Sequence, residues 1–231
     1  MERIEMNNIN EKIAEMVLNN HFLLLVLERF GINLGLQEKT VKDICAENSI
    51  NTNVFLAICN LHKNPNEIPE LTLQIEDIRV ILNYLKNTHE YYKTEVLPKV
   101  SGQIKSITEN NKDLTYILIE RFFQEYKQEV FKHLEYEETI VFPYAVDLIS
   151  GNYKINNYKI KDYKNHHTDI EVKLSELKNL LIMHLPYKND QKFRREILFE
   201  LFRLEKDLRI HTIIEESILI KAIENLENDM L

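Results

Sequence analysis

Four histidines and two glutamates stand apart by their spacing. His89 and His133 are 44 residues apart, as are His167 and His211, and His89 to His167 spans 78 residues, as does His133 to His211. The words around them repeat as well. HLEYEETIV at 133–141 and HTIIEESIL at 211–219 share the pattern H-x-x-x-E-E-[TS]-I-[VL], which reads as an internal repeat of helical hairpins. Residues four apart stack on one face of a helix, so His133 with Glu137, and His211 with Glu215, can bind one site together. Four imidazoles and two carboxylates can serve two metal ions at two histidines each, both carboxylates bridging and an oxo or hydroxo group completing the bridge. Imidazole and carboxylate with an open position suit iron or manganese better than structural zinc, which prefers closed four-coordinate sites. The donor set therefore leaves iron or manganese as the expected metals, with zinc possible.

Such a set needs long helices to carry it. Glycine (4) and proline (5) are scarce in 231 residues, which leaves few turn signals. Four long helices are expected at about 72–107, 113–148, 158–184 and 190–227, separated by the polar segments TENNKD, SGNYK and LPYKND. Each carries an apolar stripe of bundle type interrupted by one histidine. The first reads Ile78, Leu82, Leu85, His89, Tyr92, Val96, and the second Ile119, Phe123, Tyr126, Val130, His133, Glu137, Ile140, Tyr144. The third reads Ile160, Tyr163, His167, Ile170, Leu174, Leu177, Leu181, and the fourth Ile197, Leu201, Leu204, Leu208, His211, Glu215, Ile218, Ala222. His89 and His133 lie about 20 residues either side of the first turn, so a rise of ~1.5 Å per residue returns them to one level. The same holds for His167 and His211 around 186–190, and all six candidates meet in one layer. Facing helices of a bundle are a known home for dimetal sites.

A single histidine on a core face is most often packed there without any ligand. Four in register, two with matching glutamates, are not explained that way, because burying carboxylates without cations costs on the order of several kcal/mol each. His166 flanks the third stripe, His184 lies a turn beyond the layer, and His21 and His62 have no partner at metal spacing. Glu138 and Glu216 follow the candidate ligands and read as solvated or as partners of ligands. Glu171 falls just off the third core stripe. Tyr92, Tyr126 and Tyr163 read as core packing close to the layer.

The expected fold is all-α: an up-down four-helix bundle over 70–231, preceded by a small helical domain over 1–65. In the latter, a helix is expected over about 8–30 ending near Gly31, then one from Thr40, as N-cap, to about Asn48, then one over about 52–61. The boundary falls in HKNPNEIPE (62–70), with its two prolines. A net charge of -8 argues against nucleic-acid and anionic-membrane surfaces, which need clustered Lys and Arg. No apolar run approaches the ~20 residues of a membrane span. The polar, acidic start is unlike a secretory signal, and two cysteines are too few for a disulfide framework. A cytoplasmic location is expected. The apolar faces of the helices over 8–62 need cover, from the bundle or from a second copy of the chain in a homodimer.

At H89-x-x-Y-x-x-x-x-LP, H133-x-x-x-EE-x-x-VFP, H167 with L174-x-x-L177, and H211-x-x-x-E-x-x-IL, the chain resembles the hemerythrin-like (HHE) cation-binding family. Within it the pattern is most similar to the repair-of-iron-centres (RIC) di-iron proteins. Oxygen-carrying hemerythrins resemble instead an H-x-x-x-H third helix, and position 171 here is glutamate. The segment 20–62 is similar to the small domain preceding the bundle in RIC proteins, with Leu34-Gly35-Leu36 where that domain carries adjacent cysteines. The resemblance implies a non-haem di-iron protein of the nitrosative or oxidative stress response, acting in iron–sulfur centre repair or reacting with nitric oxide, oxygen or peroxide. An iron–sulfur client protein would be its partner. The other class of function is a hemerythrin-type module that binds and senses oxygen, nitric oxide or iron.

Overall fold

The computed structural model describes residues 8–109, 113–151, 158–161, 163, 170–185 and 190–229. Among them every regular element is helical, and a single antiparallel bridge joins Lys12 to Thr40. The all-α, bundle-type fold expected from the stripes is present.

The expected helix over 8–30 is broken into α1 (Ile13–Asn19) and α2 (Leu23–Arg29). Asn20 causes the break. Its Oδ1 accepts from Phe22 N at 3.2 Å and its Nδ2 donates to His62 O at 3.3 Å, so a side chain takes over bonds that a continuous helix would make. Gly31, at φ +72°, then ends α2, with Ile32 N donating back to Leu27 O at 2.8 Å. Thr40 caps α3 (Val41–Glu47) as expected, in a capping box with Asp43. Asn51 caps α4 (Thr52–Leu61) through Asn53 N.

The longer rods follow: α5 (Ile75–Tyr91), α6 (Leu97–Glu109), α7 (Leu114–Tyr136), α8 (Phe142–Ile149), α9 (Ile170–Asn179), α10 (Gln191–Ile214) and α11 (Lys221–Asp229). Four π turns interrupt them: π1 (Tyr92–Val96) between α5 and α6, π2 (Glu137–Val141) between α7 and α8, π3 (Leu180–His184) after α9, and π4 (Glu215–Ile220) between α10 and α11. Each π turn widens the helix by one residue and rotates everything beyond it. The expected stripes are correct up to these turns and slip by one after two of them. Ile140, expected in the core, is 41% exposed while Val141 is fully buried, and Ala222 is half-buried while Ile223 is fully buried. In π2, Thr139 Oγ1 donates to Glu135 O at 2.7 Å, and in π1, Thr94 Oγ1 donates to Glu90 O at 2.8 Å. A hydroxyl that claims the carbonyl four residues back competes with the backbone N–H for it and loosens the α ladder there.

The chain divides into two compact units. One takes Met1–Thr88, Val146–Tyr153 and Ile210–Leu231. In it α1–α4 enclose Ile13, Met16, Leu23, Val26, Ile44, Phe55 and Ile58. The end of α2 and the N-cap of α4 dock along one face of α5. Phe30 packs on Tyr84 with ring centroids 4.8 Å apart, Asn51 Nδ2 donates to Asp77 Oδ2 at 3.1 Å, and Asn87 Nδ2 donates to Arg29 O at 2.8 Å. The other unit takes His89–Ala145 and Lys154–Arg209. Its core runs through Tyr92, Leu97, Val100, Phe123, Tyr126, Val130, Leu174, Leu177, Leu201 and Leu204. At one end Tyr116 donates to Asp190 Oδ2 at 2.5 Å, while Arg194 reaches Tyr116 OH at 2.8 Å and Asp190 Oδ1 at 2.8 Å, clamping the starts of α7 and α10 together.

Candidate metal centre

α7 ends in the turn carrying His133, and π2 begins on Glu137. The Glu137 side chain is fully buried, with one carboxylate oxygen toward each of two imidazoles: Oε1 is 2.6 Å from His133 Nε2 and Oε2 is 3.1 Å from His89 Nε2. Tyr163 OH donates to Oε1 at 3.0 Å. Oε2 completes no well-formed hydrogen bond among the described residues, although it is buried. An anionic oxygen in that state, close to ring nitrogens that carry lone pairs, is what a cation-binding carboxylate requires, and the donor set fits a metal ion.

His89 is fixed from three sides. Its ring stacks on Phe142 at 5.3 Å, its Nδ1 meets Glu138 Oε1 at 2.9 Å, and its Nε2 is left facing Glu137. Lys93 Nζ holds both oxygens of Glu138, at 2.6 and 2.7 Å. Burial alone would drive the His89 imidazolium to give up its proton, but the close approach and negative charge of Glu137 and Glu138 outweigh it, and the His89 pKa is raised. Burial likewise pushes Glu137 up, and His133 and His89 more than reverse this, holding it well below the usual carboxylate range. The hydrogen bond from His89 and then Lys93 pull Glu138 down to about 2 against a partial burial effect. Both glutamates are therefore ionised at neutral pH.

The repeat appears again in the fourth rod. His211 stands near the end of α10 and Glu215 opens π4, with Nε2 and Oε2 3.7 Å apart and both side chains almost wholly buried. Among the described residues, buried His and Glu groups are present that could hold a metal ion. Of the six expected ligands, His89, His133 and Glu137 come together in one unit and His211 and Glu215 in the other, while His167, like His166, lies outside the described residues. His184, Glu171 and Glu216 are exposed, and His62 is buried against Phe22 at the end of α4. Tyr92 and Tyr126 are core residues, whereas Tyr163 adds its bond to Glu137.

Sequence reasoning offered Glu138 as solvated or as a ligand's partner, and the structure makes it the partner of His89; it missed Lys93. The signals were present in the Glu137-Glu138 doublet and in Lys93 standing four residues after His89. It also missed the π turns, two of which are marked in the sequence by Thr94 and Thr139.

No curated protein matches the chain significantly. The sequence profile of the hemerythrin HHE cation binding domain matches residues 80–223, which include His89, His133, Glu137, His167, His211 and Glu215. With that match over more than half of its length, and with buried His and Glu donors able to hold a metal, the chain belongs to the hemerythrin HHE cation-binding family.

Proposed function

We propose that this protein holds two iron ions on His89, His133, Glu137, His167, His211 and Glu215, and that it is a redox protein of the nitrosative or oxidative stress response. The observation that carries the reading is the Glu137 carboxylate, whose two oxygens serve two different histidines from a fully buried position. A carboxylate whose two oxygens face two different imidazoles is placed to be shared between two ions. Iron bound there supplies one- and two-electron chemistry toward nitric oxide, oxygen or peroxide. Glu137 and Glu215 bring negative charge into a dry interior, which favours the more oxidised metal. Tyr163 keeps one Glu137 oxygen in place, and Phe142, stacked on His89, helps keep bulk water out. A cytoplasmic protein of this kind would serve an iron–sulfur client under nitrosative stress, with manganese or zinc as competing occupants of the site. A second copy of the chain would be a further partner, as a homodimer.

The test is anaerobic loading with ferrous iron, followed by rapid mixing with oxygen and, separately, with nitric oxide under excess reductant. The expected result is about two irons per chain and irreversible oxidation of the site by oxygen. His133→Ala and His211→Ala should each lose most of the metal, and His184→Ala should lose none. Reversible oxygen binding would move the protein to the sensing class. Less than one iron per folded chain would sink the metal reading altogether.

A further inference from the structure

Glu138 and Lys93 lie beside the candidate ligands, and nothing in the ligand set requires them. Lys93 grips both oxygens of Glu138 at 2.6 and 2.7 Å, and Glu138 meets His89 Nδ1 at 2.9 Å. The three form a line from a fully buried imidazole to a half-buried ammonium, with Glu138 31% and Lys93 28% exposed in their side chains. The backbone explains how neighbouring glutamates reach opposite nitrogens of one ring. Both stand in the opening turn of π2, where successive side chains point in different directions: Glu137 meets Nε2 and Glu138 meets Nδ1. Phe142, stacked on the ring, keeps His89 from turning away from either.

We propose that Lys93 and Glu138 are positioning residues that act through His89, fixing its proton on Nδ1 and setting the electron-donor strength of Nε2. The inference rests on the metal reading above and adds a means of tuning to it. An anionic acceptor on Nδ1–H makes Nε2 a better donor and stabilises the more oxidised metal. Lys93 moderates this by neutralising part of the Glu138 charge. The two side chains therefore act in opposite senses, which a pair that merely braced the helices would not do.

The test uses the full chain with Glu138→Ala, Glu138→Gln and Lys93→Met, each compared with wild type for folding by thermal melt. Ferrous iron is titrated against a competing chelator. E138A should weaken one of the two iron equivalents about 10- to 100-fold and spare the other, as losses of such partners do. E138Q, whose amide oxygen still accepts from Nδ1–H, should recover much of that affinity. Spectroelectrochemistry should then show the midpoint potential raised in E138Q and lowered in K93M. Wild-type affinity in E138A, or potentials that fail to move in opposite directions, would overturn the proposal. A metal-free measurement separates it from the metal reading. At alkaline pH, where the ring is neutral, the nitrogen chemical shifts of His89 should place the proton on Nδ1 in wild type and lose that preference in E138A. A wild-type proton on Nε2 would overturn the proposal whatever metal binds, whereas a chain that binds no iron yet keeps the Nδ1 proton would overturn only the metal reading.

Discussion

Glu137 and Cys59 are both buried, and burial has opposite outcomes for them. The carboxylate meets two imidazoles, so its charge survives in the interior. The thiols of Cys45 and Cys59 meet mostly apolar neighbours, and burial pushes Cys45 up to about 11 and Cys59 higher still, with only a Thr52 hydrogen bond pulling Cys45 back. A thiol reacts as thiolate, so both should be inert in the folded protein at neutral pH. The sign of the pH dependence follows. Unfolded cysteine releases its proton near pH 9.0, while the folded protein retains both protons to about 11 or beyond. Their contribution to stability is thus complete below pH 9 and is lost as pH rises beyond it. Labelling with a thiol reagent should be slow in native protein from pH 7 to 9, and fast in denaturant, rising with pH. Two thiols that react at the same rate in both states would contradict this burial.

The π turns are the feature by which the elements depart from their simplest reading. In π2 the widened turn places Val141 in the core and Ile140 in solvent, the reverse of an uninterrupted helix. Ile140→Asp should then change stability by only about 0.5 kcal/mol, as surface changes do, whereas Val141→Asp should cost about 3 kcal/mol or more for a buried unpaired charge. Chemical denaturation of the two variants checks it, and a costly Ile140→Asp beside a tolerated Val141→Asp would restore the simple register. What could be read beforehand follows the same division. The H-x-x-x-E pairs and the stripes up to them were legible, because an α-helix maps spacing onto faces without outside help. The Thr40 cap was legible because its partner Asp43 is three residues away. The break at Asn20 was not, since its cause includes a bond to His62, 42 residues on. Nor was the link from Glu138 to His89, which joins two rods 49 residues apart in sequence and follows from no period within either. No helix among the described residues is long and apolar enough to cross a membrane, in keeping with the short apolar runs.

At the scale of the whole chain, the end of α2 and the start of α4 lie on α5, and their contacts recur along one of its faces. Asp77 meets Asn51, Tyr84 meets Phe30 and lies under Arg29 at 5.8 Å, and Asn87 meets the Arg29 carbonyl. Spacings of seven and three residues keep these positions in line on a helix. Tyr84 is only 1% exposed, so a chain lacking residues 1–65 would uncover an aromatic side chain as well as two polar anchors. The full burial of such a ring is worth about 2–3 kcal/mol, a large part of a typical domain's net stability. The 70–231 fragment should therefore melt several degrees lower than the full chain and bind more of a hydrophobic dye. It should nevertheless keep its iron stoichiometry, because none of the six proposed ligands lies in α1–α4. Calorimetry with metal analysis on the two lengths provides the measurement. The informative failure is a fragment that stays helical and loses iron. His89 stands five residues beyond Tyr84 on the same helix, and such a loss would mean that the N-terminal cover sets the position of His89 as well as shielding α5.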